Sequence, residues 1–281
     1  MTRRFSLVDV FAETPFSGNP LAVVLDSEGL STEEMQQITR WLNLSETTFL
    51  LPPSTPEADY RVRIFTLERE LPFAGHPTLG SCHAWLEHGG QPRAAGEIVQ
   101  ECGAGLVRIR RQEEGRLAFE APPRIRTGAV SNEKLDQIAE VLRVGRDEIV
   151  AAEWIDNGPG WVGVLLDSAD AVLALDPLRS YPSRLEIGVI GPYPDGEESD
   201  FELRAFFSDH HGTILEDPVT GSLNASAAQW LLESGRASAP YTASQGQRVG
   251  RRGRVAITLD SDGTVWVGGR AITLFTGLGH F

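Results

Sequence analysis

The 281-residue sequence is poor in cysteine, has no long apolar run and carries no excess of basic residues. Its two cysteines, Cys82 and Cys102, are too few for a disulfide framework and lack the spacing of a zinc site. A reducing compartment is the expected setting. No stretch approaches the ~18 consecutive apolar residues of a membrane span, and Ser6, Asp9 and Glu13 interrupt the apolar residues near the start, where a signal peptide needs an unbroken core. The sequence therefore reads as cytoplasmic, with no membrane partner. Lys plus Arg number 25 against 39 Asp plus Glu, a formal net charge of −14, which repels a polyanion and argues against nucleic acid as a partner. Neither a phosphate-binding glycine loop nor a Gly-x-Ser-x-Gly elbow occurs, so nucleotide use and serine hydrolysis have no support.

What is present is an ordinary folded composition, 41% apolar and 23% charged. The length is that of about two domains. Strand patterning opens the chain around Phe5 to Val10, with a change of phase between Leu7 and Val8 that means either a bulge or burial on both faces. A turn at Gly18, Asn19, Pro20 leads to a second strand over Leu21 to Leu25. Ser31 followed by Glu34 is a capping box, and Met35, Ile38, Trp41 and Leu42 form an apolar stripe, which predicts a helix from Thr32 to about Asn43. Strands follow at Thr47 to Leu51 and Tyr60 to Phe65. A second helix starts at Gly75 to Pro77 and stops at Gly89 and Gly90. Strands near Glu97 to Gln100, Leu106 to Ile109 and Leu117 to Glu120 precede Ala121, Pro122, Pro123, a lobe boundary. Beyond it come a capped helix from about Asn132 to Leu142, strands near Trp161 to Leu166 and Phe201 to Phe207, and another helix. The texture is α+β.

A shift of 146 positions lays Glu70, Pro72, Gly75, Leu86, Glu87 and Gly89 onto Glu216, Pro218, Gly221, Leu232, Glu233 and Gly235 without an insertion. Two copies of one unit, hence two lobes, are expected: 1–122, completed by a C-terminal strand over 270–281, and 123–269. Each copy ends its turn at a helix start, where backbone N–H groups and the helix dipole favour an anion. His76 and Ser222 occupy equivalent positions there, with Asp217 five residues before Ser222. Two such starts suit a carboxylate. The plainer alternative is that Asp217 and Ser222 cap the second helix and His76 is a turn residue. Glu46 heads an apolar strand, where desolvation would raise its pKa into the range of a general acid/base; the alternative is a glutamate facing solvent.

Four blocks now combine. Phe16 to Val24 (FSGNPLAVV), Leu44 to Phe49 (LSETTF), Glu70 to Thr78 (ELPFAGHPT) and Glu216 to Ser222 (EDPVTGS) resemble, in order, the signatures of the PhzF family of phenazine-biosynthesis-like isomerases and epimerases. The resemblance covers essentially the whole chain. It implies a diaminopimelate-epimerase-like fold: two pseudo-symmetric lobes, each a curved sheet around a central helix, with the active site in the cleft between them. It further implies Glu46 as the proton-transferring acid/base and His76, Asp217 and Ser222 as residues that polarise the substrate and assist proton transfer. Ser45, Gly75, Gly221 and Asn19 are the expected substrate-binding positions. Family members use no metal or organic cofactor and are typically homodimers. Diaminopimelate epimerases and proline racemases place cysteine at each helix start, where this sequence has His76 and Ser222, which disfavours a two-thiol racemase. Leu223, where alanine is usual, and the unusual Asn224 and Ser226 imply an altered pocket size.

His76 with His83, and His210 with His211, complete no metal-ligand spacing. Arg248, Arg251, Arg252 and Arg254 read as a solvated turn before a strand over Val255 to Leu259, with contact to an anionic substrate or a subunit as the alternative. The expected activity is a cofactor-independent isomerase acting on a small, carboxylate-bearing substrate. The alternatives are an amino-acid-like epimerase or racemase and a non-catalytic small-acid binding protein of the same fold.

Overall fold

A computed structural model describes residues 1–112 and 115–281, which form two compact units: Met1–Glu120 with Gly268–Phe281, and Ala121–Val267. The first contains β1 (Thr2–Val10), β2 (Asn19–Val24), α1 (Thr32–Leu42), β3 (Glu46–Leu51), β4 (Tyr60–Thr66), β5 (Glu70–Leu71), α2 (Gly75–Glu87), β6 (Glu97–Cys102), β7 (Gly105–Arg111) and β8 (Leu117–Glu120). The second opens with β9 (Arg126–Ala129) and α3 (Asn132–Leu142). It continues through β10 (Ala151–Asp156), β11 (Val162–Leu165), α4 (Ala169–Ala174), β12 (Glu186–Pro192), β13 (Phe201–Ser208), β14 (Ile214–Asp217), α5 (Gly221–Glu233), β15 (Tyr241–Gln245) and β16 (Gly253–Leu259). The chain leaves it within β17 (Val265–Gly269) and returns to the first unit as β18 (Ala271–His280).

The duplication extends to strand pairing. β1/β2 and β10/β11 are antiparallel, β2/β3 and β11/β12 parallel, β3/β4 and β12/β13 antiparallel, β4/β6 and β13/β15 parallel. β18 flanks β1 as β9 flanks β10, both antiparallel. The helices α2 and α5 are each 13 residues long and start 146 positions apart.

Both helices are apolar nearly all round, the mark of a helix enclosed by its own unit. In α2 every residue from Gly75 to Cys82 is buried. Close approach of helix and sheet is solved differently in the two units. In the first the helix supplies the gap: a Cβ on Gly80 would stand 2.5 Å from Leu21 and 2.8 Å from Val10. In the second the sheet supplies it: a Cβ on Gly188 would stand 2.1 Å from Leu223, and one on Gly163 3.0 Å from the Trp230 ring.

The phase change in β1 is a bulge, since Leu7 faces Phe275 while Val8 faces Thr273; Val8, Asp9 and Val10 beyond it are all buried. α1 has its capping box at Ser31 and Glu34 and ends on the left-handed Asn43. Trp41 does not belong to its buried stripe, being 84% exposed. It lies six residues past Met35, about 240° around the helix. The buried Thr39 takes that place, its hydroxyl donating to the Met35 carbonyl at 2.9 Å. The patterning did not announce β9, β10, α4, β12, β15 and β17. These are short or, like β12 with Gly188 and Gly191, broken by glycines that serve packing.

Candidate active site

Glu46 opens β3, opposite Thr66 of β4, so it stands where the strand emerges from the core. Its side chain is only 16% exposed, which removes the solvent-facing alternative. Ser45, one residue earlier, is exposed. His76 is the second residue of α2 and is buried, with Nδ1 3.7 Å from Oε2 of Glu46. Burial pushes the imidazole pKa down to about 3, against a smaller opposing effect from a hydrogen bond to the Pro20 backbone. The ring is therefore neutral at ordinary pH. Its Nε2 is buried and makes no hydrogen bond among the described residues. The neighbouring turn is held from beneath. The buried Asp9 accepts the Gly18 N–H at 3.0 Å, and a Cβ on Gly18 would meet the Val10 carbonyl oxygen at 2.1 Å. Only glycine fits there, and it sets the buried Asn19 at the head of β2.

Gly75 begins α2 with no side-chain cap on the N-cap Ala74, and Gly221 begins α5 with none on Thr220. Both helix starts keep the amide donors that such ends leave without an intrahelical partner. In the second unit Asp217, the last residue of β14, accepts the Thr220 hydroxyl at 2.5 Å. Gln245, at the end of β15 and fully buried, holds this turn from the other side. Its Oε1 accepts the Thr220 N–H at 3.0 Å and the Asn224 side-chain amide at 2.9 Å. Its Nε2 donates to the Thr220 hydroxyl at 3.0 Å and the Asp217 carbonyl at 3.2 Å.

Ser222 is half-buried. Its Oγ accepts the Trp161 indole N–H at 3.0 Å, and its carbonyl accepts the Asn157 amide at 2.9 Å. With the indole on the oxygen, the hydroxyl hydrogen points elsewhere and remains a donor. The departures in α5 are structural. Leu223 is fully buried and packs on Gly188, Asn224 is bonded to Gln245 and the Thr220 carbonyl, and Ser226 donates to the Ser222 carbonyl at 3.2 Å. These three side chains serve helix packing and turn support.

Gln245, Thr220, Trp161 and Asn157 were not singled out from the sequence. The repeat held one usable signal. Thr78 and Asn224 are equivalent under the 146-residue shift, and each is bonded by a buried glutamine from the strand after the helix, Gln100 at 3.0 Å and Gln245 at 2.9 Å. No spacing rule points to Trp161, 61 residues before Ser222.

Comparison with known proteins agrees with this frame. The family model described as phenazine biosynthesis-like protein, PhzC-PhzF, matches residues 8–277. The chain is 36% identical over 290 residues to antisense-enhancing sequence 1 of Schizosaccharomyces pombe, covering 97% of both chains. It is 35% identical over 251 residues to the trans-2,3-dihydro-3-hydroxyanthranilate isomerase of Pseudomonas fluorescens, covering 88% of this chain and 87% of that one. The crystal structure of a PhzF-family phenazine biosynthesis protein from Bacillus anthracis superimposes with a TM-score of 0.82 at 25% identity, covering all of both chains. No helix among the described residues is long and apolar enough to cross a membrane. With the signature blocks, the duplicated topology and this match over nearly its whole length, the chain belongs to the PhzC-PhzF phenazine biosynthesis-like family of isomerases and has its diaminopimelate-epimerase-like fold.

Proposed function

We propose that the protein is a cofactor-independent isomerase that moves a proton between two carbons of a small carboxylate-bearing substrate, with Glu46 as the acid/base. The observation that carries this reading is the Glu46 carboxyl group 3.7 Å from an imidazole that burial keeps neutral. An imidazolium there would hold the carboxylate in an ion pair and weaken it as a base; a neutral ring does not, and its N–H can donate a hydrogen bond. In the reaction Glu46 takes a proton from one carbon, the electron pair enters the adjoining π system, and Glu46, open to exchange with solvent, returns a proton to another carbon to form the new C–H bond. No electrons are gained or lost overall.

Ser222, with its oxygen engaged by Trp161, donates its hydrogen to a substrate oxygen, and Asp217, oriented by Thr220, binds a polar substrate group. The amides at Gly75 and Gly221 stabilise negative charge as it builds, and Asn19 and Ser45 complete the substrate-binding set. The working form is a homodimer. An epimerase using two thiols is not favoured: burial pushes the Cys82 thiol up to about 12, and neither cysteine stands at a helix start.

The test is deuterium uptake. Candidate acids, beginning with trans-2,3-dihydro-3-hydroxyanthranilate, for which the Pseudomonas fluorescens relative is named, are incubated in heavy water with the wild type and with Glu46→Gln. The wild type is expected to exchange carbon-bound hydrogen and the variant not to. Binding without exchange by either protein across a broad panel of acids would favour the non-catalytic alternative. Product analysis separates a moved proton from one returned to the same carbon.

A further inference from the structure

The second unit carries two surface features that proton transfer does not use. One is a groove of about 600 Å³ between the end of α3, the short turn Arg146–Glu148 and α4. Its floor is apolar, with Leu142, Leu166 and Leu175 buried and Val150 59% exposed. Its rim carries four carboxylates, Asp147, Glu148, Asp167 and Asp176, the last paired with Arg143 at 3.3 Å and with Arg179 at 3.2 Å. With both arginines counted, the rim is acidic by two charges.

The other feature is the turn Gln247–Val249 with the residues that follow it. Gly246 and Gly250, both at positive φ, fold it back on itself. Val249 stands 37% exposed at its tip among Arg248, Arg251 and Arg252, of which Arg248 and Arg252 are exposed. None of these three arginines forms an ion pair among the described residues, whereas Arg254 behind them is tied to Ser244 at 3.0 Å and Glu198 at 3.5 Å. The turn is basic by three charges and has an apolar tip.

We propose that this turn docks into the acidic groove of a second copy of the chain. Val249 meets the floor beside Val150, and Arg248, Arg251 and Arg252 meet the rim carboxylates. The occupant is inferred from complementarity on one sequence. Groove and turn are opposite in charge and each has an apolar centre. In a chain of net charge −14 the turn is also a place where a second copy can approach without repulsion. Such a contact gains much of its specificity from charge and weakens as salt is added. The inference rests on the homodimer put forward above and stands apart from the proposed chemistry, since none of these residues belongs to it.

Sedimentation velocity over a range of protein and salt concentrations tests it. Wild type is expected to self-associate, less so at high salt. Reversing the turn (Arg251→Glu with Arg252→Glu) or the rim (Asp147→Arg with Asp167→Arg) should each weaken association by about tenfold or more, and an equimolar mixture of the two variants should restore it. Far-UV circular dichroism checks folding, and the neutral pair Arg251→Gln with Arg252→Gln serves if a reversal does not fold. A monomeric wild type, association that neither reversal moves, or no recovery on mixing would each overturn the proposal. The last two outcomes would assign the self-contact to another surface.

Discussion

Arg204 grips Glu216 through two parallel contacts, Nε to Oε1 at 2.9 Å and Nη2 to Oε2 at 2.8 Å, while its Nη1 donates to the Val172 and Leu175 carbonyls at the end of α4. The first unit repeats the arrangement. Arg63 holds Glu70 at 2.7 Å through both contacts and donates to the Thr32 hydroxyl at the start of α1. Each guanidinium also lies over a phenylalanine of its own strand, Phe206 at 4.8 Å and Phe65 at 5.1 Å. Each pair joins the hairpin leading to the central helix with an outer helix of its unit.

The two pairs differ in burial, and so in the expected cost of breaking them. The Arg204 and Glu216 side chains are 5% and 13% exposed, against 24% and 38% for Arg63 and Glu70. Arg204→Ala leaves a desolvated carboxylate and two helix-end carbonyls without their donor, for a loss of about 3–5 kcal/mol. Arg63→Ala should cost about 1 kcal/mol or less. Urea unfolding of both variants makes the comparison; equal losses would show that burial does not set the difference.

Gly188 and Leu223 form a second pair whose energies are expected not to add. Gly188→Ala drives a methyl into Leu223 and should cost about 1–3 kcal/mol, while Leu223→Ala empties a filled site and should cost about 2–5 kcal/mol. In the double variant the new methyl enters the space the leucine vacated, so the combined loss should fall below the sum by about 1 kcal/mol or more. A double-mutant cycle by denaturant unfolding reads this coupling directly.

His76 should make stability depend on pH. Its pKa is about 3 folded and about 6.5 unfolded, so between those values the unfolded chain binds the extra proton. Its contribution is neutral above pH 6.5 and becomes increasingly destabilising as pH falls, by about 1.4 kcal/mol per unit until the folded pKa is reached. His76→Gln should lose this part of the slope. Unfolding free energies for both proteins at a series of pH values between 4 and 7 test it, and parallel curves would refute it.

Trp161→Phe keeps the ring in its buried place and removes the indole N–H from Ser222. If Ser222 donates to substrate, the freed hydroxyl loses orientation and kcat/KM should fall by about tenfold, with little change in melting temperature. Ser222→Ala in the Trp161→Phe background should add less than Ser222→Ala alone, because both changes act on one hydrogen bond.

Local chemistry placed many elements directly. The Ser31 to Glu34 box placed the start of α1 at Thr32, and the 146-residue repeat placed two equivalent helices after the turns at Gly75 and Gly221. These signals work because a cap or a turn is made by residues three to five apart. The candidate residues Glu46, His76, Asp217 and Ser222 were named from their types near the ends of predicted elements together with the resemblance to the family. Their environments were not. That His76 is neutral follows from burial, which no single segment creates. That Ser222 has a donor to spare depends on Trp161, that the Thr220 turn holds its shape depends on Gln245, and that Leu223 is a packing residue depends on Gly188. Those partners lie 25 to 61 residues away along the chain. Type and local geometry are properties of neighbours in sequence, whereas desolvation and hydrogen-bond partnership are properties of neighbours in space, and only the folded units bring those together.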